Sequence, residues 1–87
     1  FEESRYFFEK GAQLNDTTSM FYLGELYLNG WGVEKDYTKA LELYTKCEEM
    51  KFTKALNSIG YMYYFGLGVP KNIKRAYDYF LSKHKNL

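Results

Sequence analysis

Cysteine, histidine and proline occur once each in these 87 residues. A lone cysteine, Cys47, cannot build an internal disulfide framework, so the chain signals neither an oxidising nor a reducing compartment. With His84 as the sole histidine, Cys47 and His84 form the one Cys/His pair available, too little for a ligand set or a nucleophile and base. Catalytic residues, a bound metal and a cofactor are therefore not expected. Long apolar runs are missing as well: no stretch of eighteen or more could span a bilayer, and no basic stretch leads into an apolar one as in a signal peptide. This segment is thus not expected to insert directly into a membrane. Beginning at Phe1 and not at a methionine, it is expected to be a piece of something longer, with any targeting segment outside it. Charge of one sign is scarce too. A net charge of +1 with acids and bases interspersed lacks the footprint of a nucleic-acid or anionic-membrane binder.

What the chain does have is apolar and aromatic matter. Hydrophobic residues make up 46% and aromatics 21%, with ten tyrosines and seven phenylalanines, which is the composition of a packed protein and not a disordered one. A chain this short buries only about 60–65% of the surface its unfolded form exposes. Its core must be thin, and some aromatics must stay on display. Tyrosine suits that position, because it pairs a large apolar ring with a polar tip.

The sequence repeats itself at an offset of 36 residues. Gly24 meets Gly60, and the same frame pairs Tyr27 with Tyr63, Gly30 with Gly66, Gly32 with Gly68, Val33 with Val69, Lys35 with Lys71 and Ala40 with Ala76. Chance would give roughly two such identities. Conservative pairs such as Leu23/Ile59, Asp36/Asn72, Lys39/Arg75 and Tyr44/Phe80 fill the frame, and Phe7, Phe8 and Lys10 fall over Leu43, Tyr44 and Lys46. The chain is read as half a unit over 1–18, a whole unit over 19–54 and most of another over 55–87.

Within each unit the period is helical. Residues 20, 23, 24 and 27, and again 56, 59, 60 and 63, share one helix face. Thr17 and Thr53 are expected as N-caps of these first helices. Gly30 and Gly66 are placed to end them in the left-handed conformation, followed by a turn at Gly32 and Gly68. Val33 and Val69 should tuck the loop under both helices, and Pro70 forbids helix beside it. Asp36 and Asn72 should cap second helices whose apolar faces are wide enough for two neighbours. Ala40 and Ala76 are expected opposite Gly24 and Gly60. Five helices are predicted, near 1–14, 18–28, 36–51, 54–64 and 72–84.

The pattern Leu23-Gly24, Tyr27, Gly30, Gly32-Val33, Asp36, Lys39-Ala40 and Tyr44 resembles a Sel-1-like repeat. Ala55, Ile59-Gly60, Tyr63, Gly66, Gly68-Val69, Asn72, Arg75-Ala76 and Phe80 repeat it. Ser19, where the family usually has alanine, and Asn72, where it has aspartate, are small departures. The resemblance implies an all-α fold, a right-handed α-solenoid of antiparallel helix pairs similar to tetratricopeptide repeats but with a longer glycine-containing turn. It implies an adaptor or scaffold that binds another protein, as family members do in endoplasmic-reticulum-associated degradation and in bacterial signalling; fold alone does not fix function. The endoplasmic-reticulum lumen and the cytoplasm are both compatible with it. A bacterial subgroup linked to penicillin binding needs paired cysteines in each repeat, which Cys47 alone does not supply.

Further local features have plain readings. Cys47 follows Leu43 by one turn on the apolar face and is expected as a buried, inert thiol. Glu2-Glu3 and Glu48-Glu49 point to different helix flanks and read as solvated surface. Lys83, His84 and Lys85 suit a helix C-terminus through the dipole alone. Asn15-Asp16-Thr17 is a glycosylation sequon whose use depends on the compartment.

A second stripe remains on each first helix, through Phe21, Glu25, Leu28 and Asn29 and through Asn57, Tyr61, Tyr64 and Phe65. In the family it resembles, first helices line the concave side of the stack. Phe21, Glu25, Asn29, Asn57, Tyr61 and Tyr64 are therefore the candidates for a groove holding a partner protein or peptide, with Leu28 and Phe65 shared with packing between repeats. A stacking surface for single-stranded nucleic acid would need bases along this stripe, and Lys54 is the only one there. The alternative to a binding groove is a structural spacer, or an assembly subunit inside a larger complex with no separate ligand. Because solenoids usually need three units for stability, adjacent repeats of a longer array or a partner chain are expected to support this segment.

Overall fold

Asp36 and Asn72 begin their helices as the spacing predicts: each side chain accepts a hydrogen bond from the backbone N–H three residues on, Lys39 at 3.0 Å and Arg75 at 2.9 Å. The computed structural model describes residues 2–82. Among them run α1 (Glu2–Gln13), α2 (Thr17–Asn29), α3 (Tyr37–Glu49), α4 (Lys54–Phe65) and α5 (Ile73–Ser82), with no strand among the described residues. Borders fall within two residues of the predicted ones where both lie in the described range.

The two threonine caps are corrected. Asp16, in extended backbone, caps α2 by accepting from Ser19 N–H at 3.3 Å and from the Ser19 hydroxyl at 2.6 Å. Thr17 is already helical, and its hydroxyl faces Met50 Sδ. Thr53 has helical φ and ψ and makes no side-chain cap; its turn closes through Ala55 N–H to Phe52 O and Leu56 N–H to Thr53 O. The nearer aspartate wins at α2 because an ionised acceptor makes the stronger cap.

The ends of α2 and α4 are copies of one another. Gly30 at φ 70° and Gly66 at φ 69° take the left-handed conformation, a region costly for a residue with a Cβ. Gly30 and Trp31 both donate to Leu26 O, and Gly66 and Leu67 both donate to Met62 O. Each loop is then clasped to its own first helix, by Asp36 N–H to Tyr27 O and by Asn72 N–H to Tyr63 O, both at 2.9 Å. Side chains repeat as well: Lys39 lies over the Tyr27 ring at 5.4 Å and Arg75 over the Tyr63 ring at 4.8 Å.

Every helix packs against its neighbours in sequence, the layout of an α-solenoid in which each unit touches only the next. The molecule is thin, 36 × 27 × 15 Å. One continuous core joins Met20, Leu28, Ala40, Tyr44, Cys47, Ala55, Ile59 and Met62. The close approach within each pair is set first by an aromatic ring. A Cβ on Gly24 would come within 2.8 Å of Tyr44 Cε1, and one on Gly60 within 2.6 Å of Phe80 Cε1. An aromatic ring one turn beyond each alanine therefore lies over the glycine, and Ala76 contributes its carbonyl, 3.1 Å from that position at Gly60.

Candidate functional site

Glu25 is the polar centre of the surface between α2 and α4. Its Oε1 accepts the Tyr44 hydroxyl at 2.6 Å and the Ser58 hydroxyl at 3.2 Å, so one carboxylate oxygen ties α2 to α3 and to α4. Burial, then the hydrogen bond and charge of Glu25, push the Tyr44 phenol far above its ordinary range. A neutral phenol bound to a carboxylate in a poorly hydrated site makes a strong, fixed hydrogen bond. Glu25 is thereby held in place as part of the floor.

A cleft of about 280 Å³ opens beside it, lined by Glu25, Leu28, Asn29, Asn57, Ser58 and Tyr61. Asn29 donates its amide to the Glu25 carbonyl at 2.9 Å, a one-turn bond that orients the side chain. Asn57 is exposed at the opposite edge. Tyr61 is 48% exposed, its ring resting against Phe65 at 4.8 Å between centroids. Leu28, buried in the core, supplies the apolar patch of the cleft.

Four of the six candidates, Glu25, Asn29, Asn57 and Tyr61, thus line one cleft. The other two do not. Phe21 is half-buried against the core, with ring contacts to Tyr22, Tyr44 and Phe52 between 5.4 and 5.8 Å. Tyr64 is half-buried, edge-on to Phe65 at 4.9 Å and to Tyr77 at 6.4 Å. Both are groove candidates from the sequence, but α3 and its following loop cover Phe21 and α5 covers one side of Tyr64. Leu28 goes to packing as well as to the cleft, whereas Phe65 is exposed. Ser58 was not foreseen. Its signal was a small polar side chain where the first unit has the bulky Tyr22, one residue from Asn57 and three from Tyr61.

Cys47 is fully buried. Its thiol faces the Thr17 carbonyl at 3.5 Å, and burial pushes its pKa up to about 11. Among the described residues no group of three or more His, Cys, Asp or Glu is placed to hold a metal ion, and no helix is long and apolar enough to cross a membrane. His84, and with it the basic tip at Lys83–Lys85, lies outside the described residues.

Comparison with known proteins agrees with this architecture. The model of the Sel1 repeat matches residues 1–16, 17–47 and 53–82. The ERAD-associated E3 ubiquitin-protein ligase component HRD3 of Candida glabrata is 34% identical over 84 residues, covering 93% of this chain and 10% of that protein. HRD3A of Arabidopsis thaliana is 43% identical over 72 residues, covering 79% and 11%. The chain spans about a tenth of the length of these curated relatives. Among solved structures, a Sel1 repeat protein from Oxalobacter formigenes superposes with a TM-score of 0.86 at 36% identity, over 92% of this chain and 33% of that one. A protective antigen of uropathogenic Escherichia coli displaying an SLR fold superposes with 0.85 at 25% identity, over 98% and 18%.

Proposed function

The chain belongs to the Sel1 repeat family, and from that premise we propose that it is an adaptor segment, holding an extended stretch of a partner protein in the cleft between α2 and α4. The observation that supports this is the convergence of Glu25, Asn29, Asn57 and Tyr61 on one cleft. Amide side chains can both donate to and accept from a peptide backbone. A half-exposed tyrosine ring beside them is the kind of anchor that dominates protein interfaces. The hydroxyls of Tyr44 and Ser58 fix the floor beforehand, which lowers the ordering cost of binding. We also propose the division of the chain into 1–18, 19–54 and 55–87 as successive units of that adaptor.

The test is a photo-crosslinking residue placed at Asn57, with Glu42 on the outer side of α3 as control. Crosslinks to the partner should form at position 57 and not at 42. With that partner in hand, Tyr61→Ala should weaken binding by about 2 kcal/mol or more while circular dichroism is unchanged. If Tyr61→Ala binds like Glu42→Ala, or unfolds the protein, the groove assignment is wrong.

A second reading, an assembly surface, has its own observation. Ile73, Tyr77 and Leu81 form an exposed apolar stripe along α5. In the unit before, the position equivalent to Ile73 is Tyr37, which packs against Gly68 of the next loop so closely that a Cβ there would lie 2.5 Å from the Tyr37 Cβ. A further helix pair of the same kind would cover Ile73 in the same way.

A further inference from the structure

We propose that the cleft between α2 and α4 selects a basic side chain, an arginine of the bound segment, which Glu25 and Tyr61 hold between them; this rests on the groove reading above. Both protein hydroxyls converge on Oε1 of Glu25, leaving Oε2 without a partner among the described residues. Among the described residues Glu25 is the only charged one lining the cleft, and it forms no ion pair there. A half-buried carboxylate facing a cleft without a cation is electrostatically incomplete, and a donor that brings positive charge satisfies it best.

Tyr61 offers the matching partner, a half-exposed ring on the same cleft. Tyr6, Tyr27, Tyr37 and Tyr63 each have a cation of this chain over the ring, from Lys10, Lys39, Lys35 and Arg75 at 4.8 to 5.8 Å. Tyr61 carries no such cation among the described residues; its ring meets Phe65 and stays half exposed, accessible to a cation from outside. A guanidinium fits both groups: its planar fork can reach Oε2 of Glu25 and the Asn57 amide oxygen while its face stacks on Tyr61, and its aliphatic stem crosses Leu28. The volume of about 280 Å³ falls below the range usual for whole small-molecule ligands, which suits one side chain of a longer segment.

The probe is the capped peptide Ac-Gly-Ser-Arg-Ser-Gly-NH2 against its citrulline counterpart, which keeps the shape and loses the charge. Titrated into the 15N-labelled protein, the arginine peptide should shift the amides of Glu25, Asn29, Asn57 and Tyr61 saturably, with an affinity about tenfold or more above that of the citrulline peptide. Glu25→Gln, which keeps an acceptor for Tyr44 and Ser58, should remove that preference. Asn57→Lys, at an exposed position, should do the same by placing a competing cation at the cleft. Equal shifts from the two peptides would overturn the charge selection and leave the groove reading standing. Shifts from neither would overturn the selection too, and the groove reading is then decided separately by where the partner crosslinks.

Discussion

The Tyr44 hydroxyl donates to Oε1 of Glu25 at 2.6 Å, from the second helix of one unit to the first, and the same oxygen takes Ser58 from the unit that follows. This contact distinguishes the two units: Phe80, the counterpart of Tyr44, has no hydroxyl, and Tyr61, the counterpart of Glu25, has no carboxylate. Tyr44→Phe therefore converts one unit to the chemistry of the other. It should lower stability by about 1.5–3 kcal/mol, the usual worth of a hydrogen bond to a charged group. A double-mutant cycle with Glu25→Ala, which removes the acceptor, followed by urea denaturation, should return a coupling energy well above zero. Additive losses would mean that the bond does little for the fold.

The same contact predicts a pH dependence. Tyr44 has its proton affinity raised above the ordinary 10.0 in the folded state, first by burial and then by Glu25. Above pH 10 the unfolded chain releases this proton while the folded one keeps it, so the stabilisation present below pH 10 is lost as pH rises, by up to about 1.4 kcal/mol per unit. Stability of the native protein minus that of Tyr44→Phe should fall between pH 10 and 11.5. A constant difference would show that the phenol ionises normally.

Local chemistry was legible in the sequence, and neighbour relations were less so. Gly30, Gly66, Asp36 and Asn72 could be placed because a helix end depends on a few adjacent residues. Thr17 was misplaced by one residue because Asp16 competes for the same N–H groups. Phe21 and Tyr64 have the same helical spacing as the cleft residues, but spacing locates a stripe and not which of its edges the next helix covers. Phe52, in a loop the repeat pattern treats only as a connector, closes over Phe21. Four members of the cleft were nevertheless readable, since they lie on the strip between successive first helices.

Gly24 and Gly60 should tolerate no large side chain. Leucine at either would drive atoms into the ring of Tyr44 or Phe80 and cost about 1–3 kcal/mol or more. Gly60→Ala should be partly rescued by Phe80→Leu, which withdraws the ring atoms lying within 2.8 Å of the new Cβ. Thermal unfolding of the single and double variants checks this, and unchanged stability in both leucine variants would count against the repeat frame.

Lys51 sits at φ 66° and its counterpart Asn15 at φ 61°. Both end a second helix the same way, through Phe52 N–H to Cys47 O and Asp16 N–H to Gly11 O, each at 2.9 Å. Asparagine accepts the left-handed conformation more readily than lysine. Lys51→Gly should raise stability by about 0.5–1 kcal/mol, net of the entropy glycine adds to the unfolded chain. That corresponds to a rise of several degrees in Tm for a domain this size. Asn15→Gly should change little, and a gain at position 15 as large as at 51 would remove the strain argument.

Cys47 offers a direct reading of how firmly the units are stacked. Its side chain lies in the core shared by α2, α3 and α4, and its thiol pKa is raised from 9.0 to about 11 by burial. At pH 8 that shift alone lowers the thiolate fraction about a hundredfold, and burial blocks the reagent until the stack opens. Labelling by a disulfide reagent should therefore be slow in the native protein and fast in denaturant. Its rate should rise in step with the destabilisation caused by Tyr44→Phe, because that variant loosens the same helix pair. The linkage has the same sign as for tyrosine: the folded thiol holds its proton longer, so its contribution is full below pH 9 and is lost as pH rises through 11. Native labelling as fast as in denaturant would mean that α3 does not stay packed on α2, and the core described here would have to be redrawn.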